Sequence, residues 1–165
     1  MEDETTPRDT EVPEQALGAP GGAERIDNGL YKIYTDLTSS MLVDMALSAD
    51  GNRAHNVKLY RDNPAPESTW EFHFDHIKQG YLIINGKNQS RVLEPSGDNV
   101  VAAPMTLDTR QFWTLKKAGT QLFYIENKSN GKVLDVNGSN TAENTNIIAY
   151  TYGGTKNQKF KLVKA

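Results

Sequence analysis

The chain contains no cysteine, which excludes disulfide staples and thiolate metal sites and fits a reducing compartment. Histidine is scarce as well. Of His55, His73 and His76, the last two lie three apart on what reads as a strand end, without a third ligand near them in sequence, so no metal site is expected. Long apolar runs are also missing. Nothing approaches the roughly 18 apolar residues of a membrane span, and residues 1–25 lack the apolar stretch of a signal peptide. The expectation is a protein that does not insert into membranes, cytoplasmic or released by a non-classical route. The tripeptides starting at Asn88, Asn127 and Asn137 match the glycosylation pattern, but outside the secretory pathway they would stay unmodified.

Positive charge is thin. The net charge is -3, and residues 1–25 carry seven acids against Arg8 and Arg25, a local balance of -5 that leaves +2 for the rest. No basic stripe of the kind phosphate backbones require is present, so nucleic acid is not an expected partner. Catalytic signatures are absent too. There is no Gly-x-Ser-x-Gly elbow, and no pair of carboxylates is set apart by spacing as an acid and base, so an enzyme is not expected, nor is any cofactor.

With 165 residues, 37% hydrophobic and 24% charged, the chain has the size of one globular domain. It divides near residue 26. Residues 1–25 combine acids with Pro7, Pro13, Pro20 and a glycine-rich stretch around Gly18 to Gly22, and hold too few aliphatic side chains to offset the entropy of ordering. They read as a disordered tail, with the folded domain at 26–165. From there on, short apolar runs such as Leu30 to Tyr34, Tyr81 to Ile84 and Leu122 to Ile125 alternate with Gly, Asn, Asp, Ser and Pro clusters. They predict strands, and many of them. Thr38 to Ser48 could pass for a short helix, but its turn-rich flanks favour a strand.

Two loop motifs lead nowhere. Gly153-Gly154-Thr155-Lys156 lacks the upstream glycine and the strand-to-helix setting of a phosphate loop. Asp135 to Ser139 opens like a calcium loop, but Asn140 stands where glycine is needed and Asn146 where glutamate is needed.

Internal repetition is more informative. Three segments, at about 28–74, 78–116 and 119–163, each run through a strand ending in an acid (Asp44, Glu94, Asp135) to a closing signature with a central aromatic (Trp70, Trp113, Phe160). The closing aromatics lie 43 and 47 residues apart, the acids 50 and 41. The closing signatures, Gln111-Phe112-Trp113 and Gln158-Lys159-Phe160 with the altered copy Ser68-Thr69-Trp70, resemble the Gln-x-Trp hallmark of ricin B-type (R-type) β-trefoil lectins. The resemblance covers residues 28–163. It implies an all-β β-trefoil, a six-stranded barrel capped by three hairpins, with the closing aromatics in the core and a shallow sugar pocket available on each lobe.

The chemistry of a sugar pocket is independent of the family. A hexose offers vicinal hydroxyls and one apolar C–H face, so its site needs a carboxylate acceptor, an amide that donates and accepts, and an aromatic ring. The third repeat holds such a set in Asp135, Tyr150 and Asn157. The resemblance places these three at the family's carboxylate, stacking and amide positions, puts backbone groups of Ile148 near the ligand, and includes Gln158, which reads as a brace for the pocket loop. In the first repeat Asp44 and Tyr60 hold the acid and ring places, Glu67 replaces the amide, Ser68 replaces the glutamine, and Asn56, Lys58 or Asn63 could complete a weaker site. In the second repeat Glu94, Ala103 and Arg110 occupy the three places, and without a ring the pocket is expected to stay empty.

The resemblance implies a carbohydrate-binding protein for galactose or N-acetylgalactosamine-type glycans on glycoproteins or glycolipids, similar to cytoplasmic fungal or bacterial lectins with a defence role. Weak single-site binding would gain avidity from a second lobe, a homodimer or clustered glycans. Two rival readings stay open. One is a protease inhibitor acting through the proline-stiffened loop 61–68, since β-trefoils also serve that role. The other is the receptor-binding component of a toxin.

Overall fold

In the run Gly29–Thr35, residues Tyr31, Ile33 and Thr35 are buried while the residues between them are exposed or half-buried. This is the period of two that makes a strand with one face on a core. The same logic builds the rest of the molecule. A computed structural model describes residues 18–165, and thirteen strands lie within them.

A short β1 (Ala23–Glu24) precedes three groups of four. The first group is β2 (Gly29–Thr35), β3 (Met41–Ala49), β4 (His55–Arg61) and β5 (Trp70–Asp75). The second is β6 (Gly80–Asn85), β7 (Arg91–Ser96), β8 (Asn99–Pro104) and β9 (Phe112–Gly119). The third is β10 (Leu122–Asn127), β11 (Val133–Val136), β12 (Ile147–Tyr150) and β13 (Phe160–Lys164). We call these groups lobes 1, 2 and 3.

The first and last strands of each lobe pair antiparallel in the cyclic order β2, β5, β6, β9, β10, β13 and back to β2, which closes a six-stranded barrel. The two inner strands of each lobe form a hairpin: β3 with β4, β7 with β8, and β11 with β12. The hairpins also touch one another, β4 on β8, β8 on β12, and Lys58 of β4 on Asn146 just before β12. Closure and capping leave few strand edges unpaired. This is the expected β-trefoil. Thr38 to Ser40 is a turn, and the strand expected there runs from Met41 to Ala49.

Trp70, Trp113 and Phe160 are fully buried at matching places of the three lobes. Trp70 and Phe160 begin the last strand of their lobes and Trp113 is the second residue of its own, where the sheet turns each side chain into the barrel. Both indoles also anchor a hairpin. Trp70 Nε1 donates to the Val43 carbonyl at 2.9 Å and Trp113 Nε1 to the Leu93 carbonyl at 3.1 Å. Those carbonyls belong to the residues just before Asp44 and Glu94, so the core aromatic fixes the strand that carries the acid.

The expected disordered tail needs a correction at its end. Residues 1–17 lie outside the described residues, but 18–25 pack on the barrel. The Ala19 amide donates to Glu126 Oε1 at 2.7 Å, its carbonyl accepts from Lys116 Nζ at 2.7 Å, and β1 pairs with Leu115 and Lys116 of β9. Arg25 lies 3.4 Å over the Phe74 ring, and the Tyr81 hydroxyl bonds both the amide and the carbonyl of Ile26. Composition argued against order here because few aliphatic side chains are available. The segment is held by hydrogen bonds to its backbone, one cation–π contact and the burial of a single small side chain, Ala19 against Tyr124 and Val133.

Since Phe160 fills the closing position of lobe 3 without an indole donor, Trp70→Phe should fold and lose about 1–2 kcal/mol, the anchoring hydrogen bond plus a small volume change. Trp70→Ala should lose about 3–5 kcal/mol. Urea unfolding followed by Trp113 fluorescence measures both, and equal losses for the two variants would contradict the assigned role.

Candidate functional site

In lobe 3, Asp135 of β11 stands directly across the hairpin from Ile148 of β12. Cross-strand partners share a face, and Tyr150, two residues on, shares it too. That face points outward: Ile148 is half-buried and Tyr150 is 59% exposed, while Ile147 and Ala149 turn into the core. Asn157 reaches the same place from the short 3-10 turn Lys156–Gln158, and its Nδ2 donates to Asp135 Oδ1 at 2.9 Å. The structure thus brings the acid, ring and amide positions together on one lobe.

Gln158 has a separate task. Its Nε2 donates to Asp135 Oδ2 at 2.9 Å and to the Thr151 carbonyl at 3.0 Å, while its Oε1 accepts from the amides of Gly153 and Gly154 at 2.8 and 3.2 Å. All four hydrogen-bonding places of the buried amide are filled. Gln158 is therefore a positioning residue that braces the pocket loop and has no capacity left for a ligand. Its bonds also account for the glycines: the two amides that a phosphate loop would use are occupied by Gln158. Gly154 has a φ of +75°, and a Cβ there would come within 2.9 Å of the Tyr152 hydroxyl, so the turn requires glycine.

Asp135 is held only by neutral amides. Burial pushes its carboxyl pKa up, against the smaller opposing pull of the hydrogen bonds from Gln158 and Asn157. Each of its oxygens accepts one of these bonds and keeps a further lone pair for another donor.

Lobe 2 repeats the brace without the pocket chemistry. Gln111 Nε2 donates to Glu94 Oε1 at 2.7 Å and to the Pro104 carbonyl at 2.9 Å, and its Oε1 accepts from the amides of Thr106 and Leu107. Arg110, at the place of Asn157, stands 3.5 Å from Glu94 Oε2. Ala103 supplies no ring. The acid is thereby paired with an arginine, and the place of the ring is unfilled.

Lobe 1 brings Asp44, Lys58, Tyr60 and Glu67 around a depression of about 510 Å³, with Asn63 on its wall. Asp44 Oδ1 accepts from Ser68 Oγ at 2.6 Å, and Oδ2 takes the Lys58 ammonium at 2.5 Å. Ser68 Oγ in turn accepts from Asn63 Nδ2 at 3.0 Å, so Ser68 and Asn63 together replace the missing glutamine. The sequence marked both residues, Ser68 at the glutamine's place and Asn63 as one that could complete the site, but the hydrogen bond that joins them appears only in the fold. Asn56 does not enter the pocket network but bonds Asn146 across lobes at 2.8 Å.

The loop 61–68 is drawn into lobe 1 through Asn63, which bonds the Arg61 carbonyl and accepts from the Ala65 amide, and through buried Ser68. Pro64 and Pro66 stay exposed at its turn. The loop is a pocket wall, the counterpart of Thr151 to Gln158 in lobe 3, which gives its proline stiffening a structural reason.

Comparison with known proteins agrees with this geometry. Residues 109–165 match the family model described as ricin-type beta-trefoil lectin domain-like. No curated protein matches the chain by sequence. Among solved structures, part of a mosquitocidal holotoxin superposes with a TM-score of 0.79 at 22% identity, over 86% of this chain and 18% of that one, so the chain spans less than a fifth of the toxin chain. The designed threefold-symmetric protein ThreeFoil gives 0.74 at 23% identity over 83% of this chain and 99% of its own. The Macrolepiota procera ricin B-like lectin, solved in complex with lactose, gives 0.67 at 16% identity over 86% and 100%. At these identities the structural likeness is one of fold. The chain is a β-trefoil similar to the ricin B-type lectins, in sequence over residues 109–165 and in fold across its described body.

Proposed function

We propose that this protein is a carbohydrate-binding lectin whose working pocket is on lobe 3, with Asp135 accepting from vicinal hydroxyls, Asn157 donating and accepting beside it, and Tyr150 stacking on the apolar face of the sugar. One observation carries the reading: of the three buried acids among the described residues, Asp135 alone is held by neutral amides and has an exposed ring beside it. A sugar hydroxyl is a neutral donor, and it strengthens most against a carboxylate that no cation has already neutralised. The favoured ligands are galactose and N-acetylgalactosamine-type glycans, a reading supported by the lactose complex of the Macrolepiota lectin. A shallow pocket with a few hydrogen bonds and one stacked face gives roughly micromolar to millimolar single-site affinity.

A glycan array with the intact protein beside Asp135→Ala and Asn157→Ala tests this. Galactosyl glycans should bind the intact protein, and each variant should lose about 10- to 100-fold while keeping its circular dichroism, the worth of a hydrogen bond involving a charged group. Tyr150→Ala should cost about tenfold through lost stacking. Binding that survives both Asp135→Ala and Asn157→Ala would refute the pocket assignment.

Acid should release the sugar. Only the carboxylate form of Asp135 accepts from two hydroxyls, and its pKa in the fold lies above the ordinary 3.8, so affinity should fall as pH drops, with a midpoint above that of an ordinary aspartate. The stability term has the opposite sign: a carboxyl with a raised folded-state pKa adds stability below its unfolded pKa and loses it as pH rises through the folded one. Release on acidification is therefore separable from unfolding, and titration calorimetry at stepped pH beside circular dichroism distinguishes the two.

A further inference from the structure

The three lobes form an internal comparison. In each, the acid stands across its hairpin from one residue of the next strand, and that residue pairs in turn with an asparagine of a neighbouring lobe. The rows are Asp44, Lys58, Asn146 in lobe 1; Glu94, Val101, Asn56 in lobe 2; and Asp135, Ile148, Asn99 in lobe 3. Members of such a row share one face of the sheet. The outer two places are an acid and an asparagine every time. Only the middle place changes in kind, from an aliphatic side chain in lobes 2 and 3 to lysine in lobe 1.

Lys58 uses that place fully. Its ammonium pairs with Asp44 and lies 4.3 Å from the centroid of the Tyr60 ring, within cation–π reach. One cation thus takes both the acceptor and the aromatic surface that a hexose would need. The side chain is only 15% exposed and that of Asp44 6%, so the pair is largely desolvated. A sugar entering in the manner proposed for lobe 3 would have to move the ammonium away, leaving a buried carboxylate whose cation is replaced by neutral hydroxyls. An anionic sugar gains little either, because Asp44 and Glu67 both line the depression.

We infer that lobe 1 is a sugar pocket closed by its own lysine, and that Lys58 is the residue that limits this trefoil to the single open pocket of lobe 3. The inference rests on the reading of lobe 3 as a sugar site. Lys58 stands in for the ligand: its ammonium supplies the hydrogen bond to the acid, and its position over the ring supplies the contact. This differs from the silence of lobe 2, where the ring itself is missing.

The test rebuilds the lobe 3 set in lobe 1 with and without the lysine. In an Asp135→Ala background, Glu67→Asn with Ser68→Gln keeps Lys58, and the same pair with Lys58→Ile removes it. Lactose is titrated into each, and backbone amide shifts near Tyr60 and residue 67 report on lobe 1. The lysine-free variant should show saturable shifts there and the lysine-bearing one none. Binding in lobe 1 with Lys58 in place overturns the inference, and so does a folded lysine-free variant that stays silent. Should the triple exchange not fold, Lys58→Met with Glu67→Asn, against Glu67→Asn alone, makes the same comparison. The lobe 3 reading is scored separately, by shifts at Tyr150 and Asn157 in the chain that retains Asp135. If those are absent while the lysine-free lobe 1 binds, the lobe 3 reading fails and the closure by Lys58 stands.

Discussion

The structure depends on satisfying a carboxylate buried at the same place in each of three lobes. Asp44, Glu94 and Asp135 are between 4% and 8% exposed, and a charge so placed is tolerated only with partners. Their partners divide the lobes: a lysine and a serine in lobe 1, an arginine and a glutamine in lobe 2, an asparagine and a glutamine in lobe 3. The core carries the acids to these positions. In lobes 1 and 2 the indole of the closing tryptophan bonds the carbonyl just before the acid, so barrel packing and pocket geometry are connected through one peptide unit.

Threefold pseudo-symmetry therefore does not mean three identical outward faces. The barrel needs an aromatic at each closing position and a paired hairpin above it, and these demands hold the three backbones alike. The outward face of each hairpin is under no such demand. It can trade Ile148 for Lys58, or Tyr150 for Ala103, without disturbing the core, because strand alternation separates outward side chains from those that pack inside.

Much of the fold was legible in the chain. Closing aromatics and strand-end acids recur at spacings of 43 and 47, and of 50 and 41, residues, and such repetition demands a repeated unit. The candidate pocket was legible in part. Asp135, Tyr150 and Asn157 were marked by relative position, and the structure places them on one lobe with Asn157 on Asp135. Gln158, read from the sequence as a brace for the pocket loop, makes four hydrogen bonds to that loop and to Asp135. The packing of residues 18–25 was missed, since it depends on Glu126 and Lys116 meeting the Ala19 backbone and on Phe74 lying under Arg25, from strands far along the chain.

What the sequence determined by itself was the architecture: the period-two runs, the turn residues between them and the repeated aromatic closings are local features, and local features survive in a one-dimensional string. What only the tertiary structure decided was which partner each buried acid receives. Lys58 follows Asp44 by fourteen positions and shares no motif with it; hairpin register makes them neighbours, and register is set by how all three lobes close the barrel. An ion pair depends on distance in space, and that distance exists only once the chain has folded.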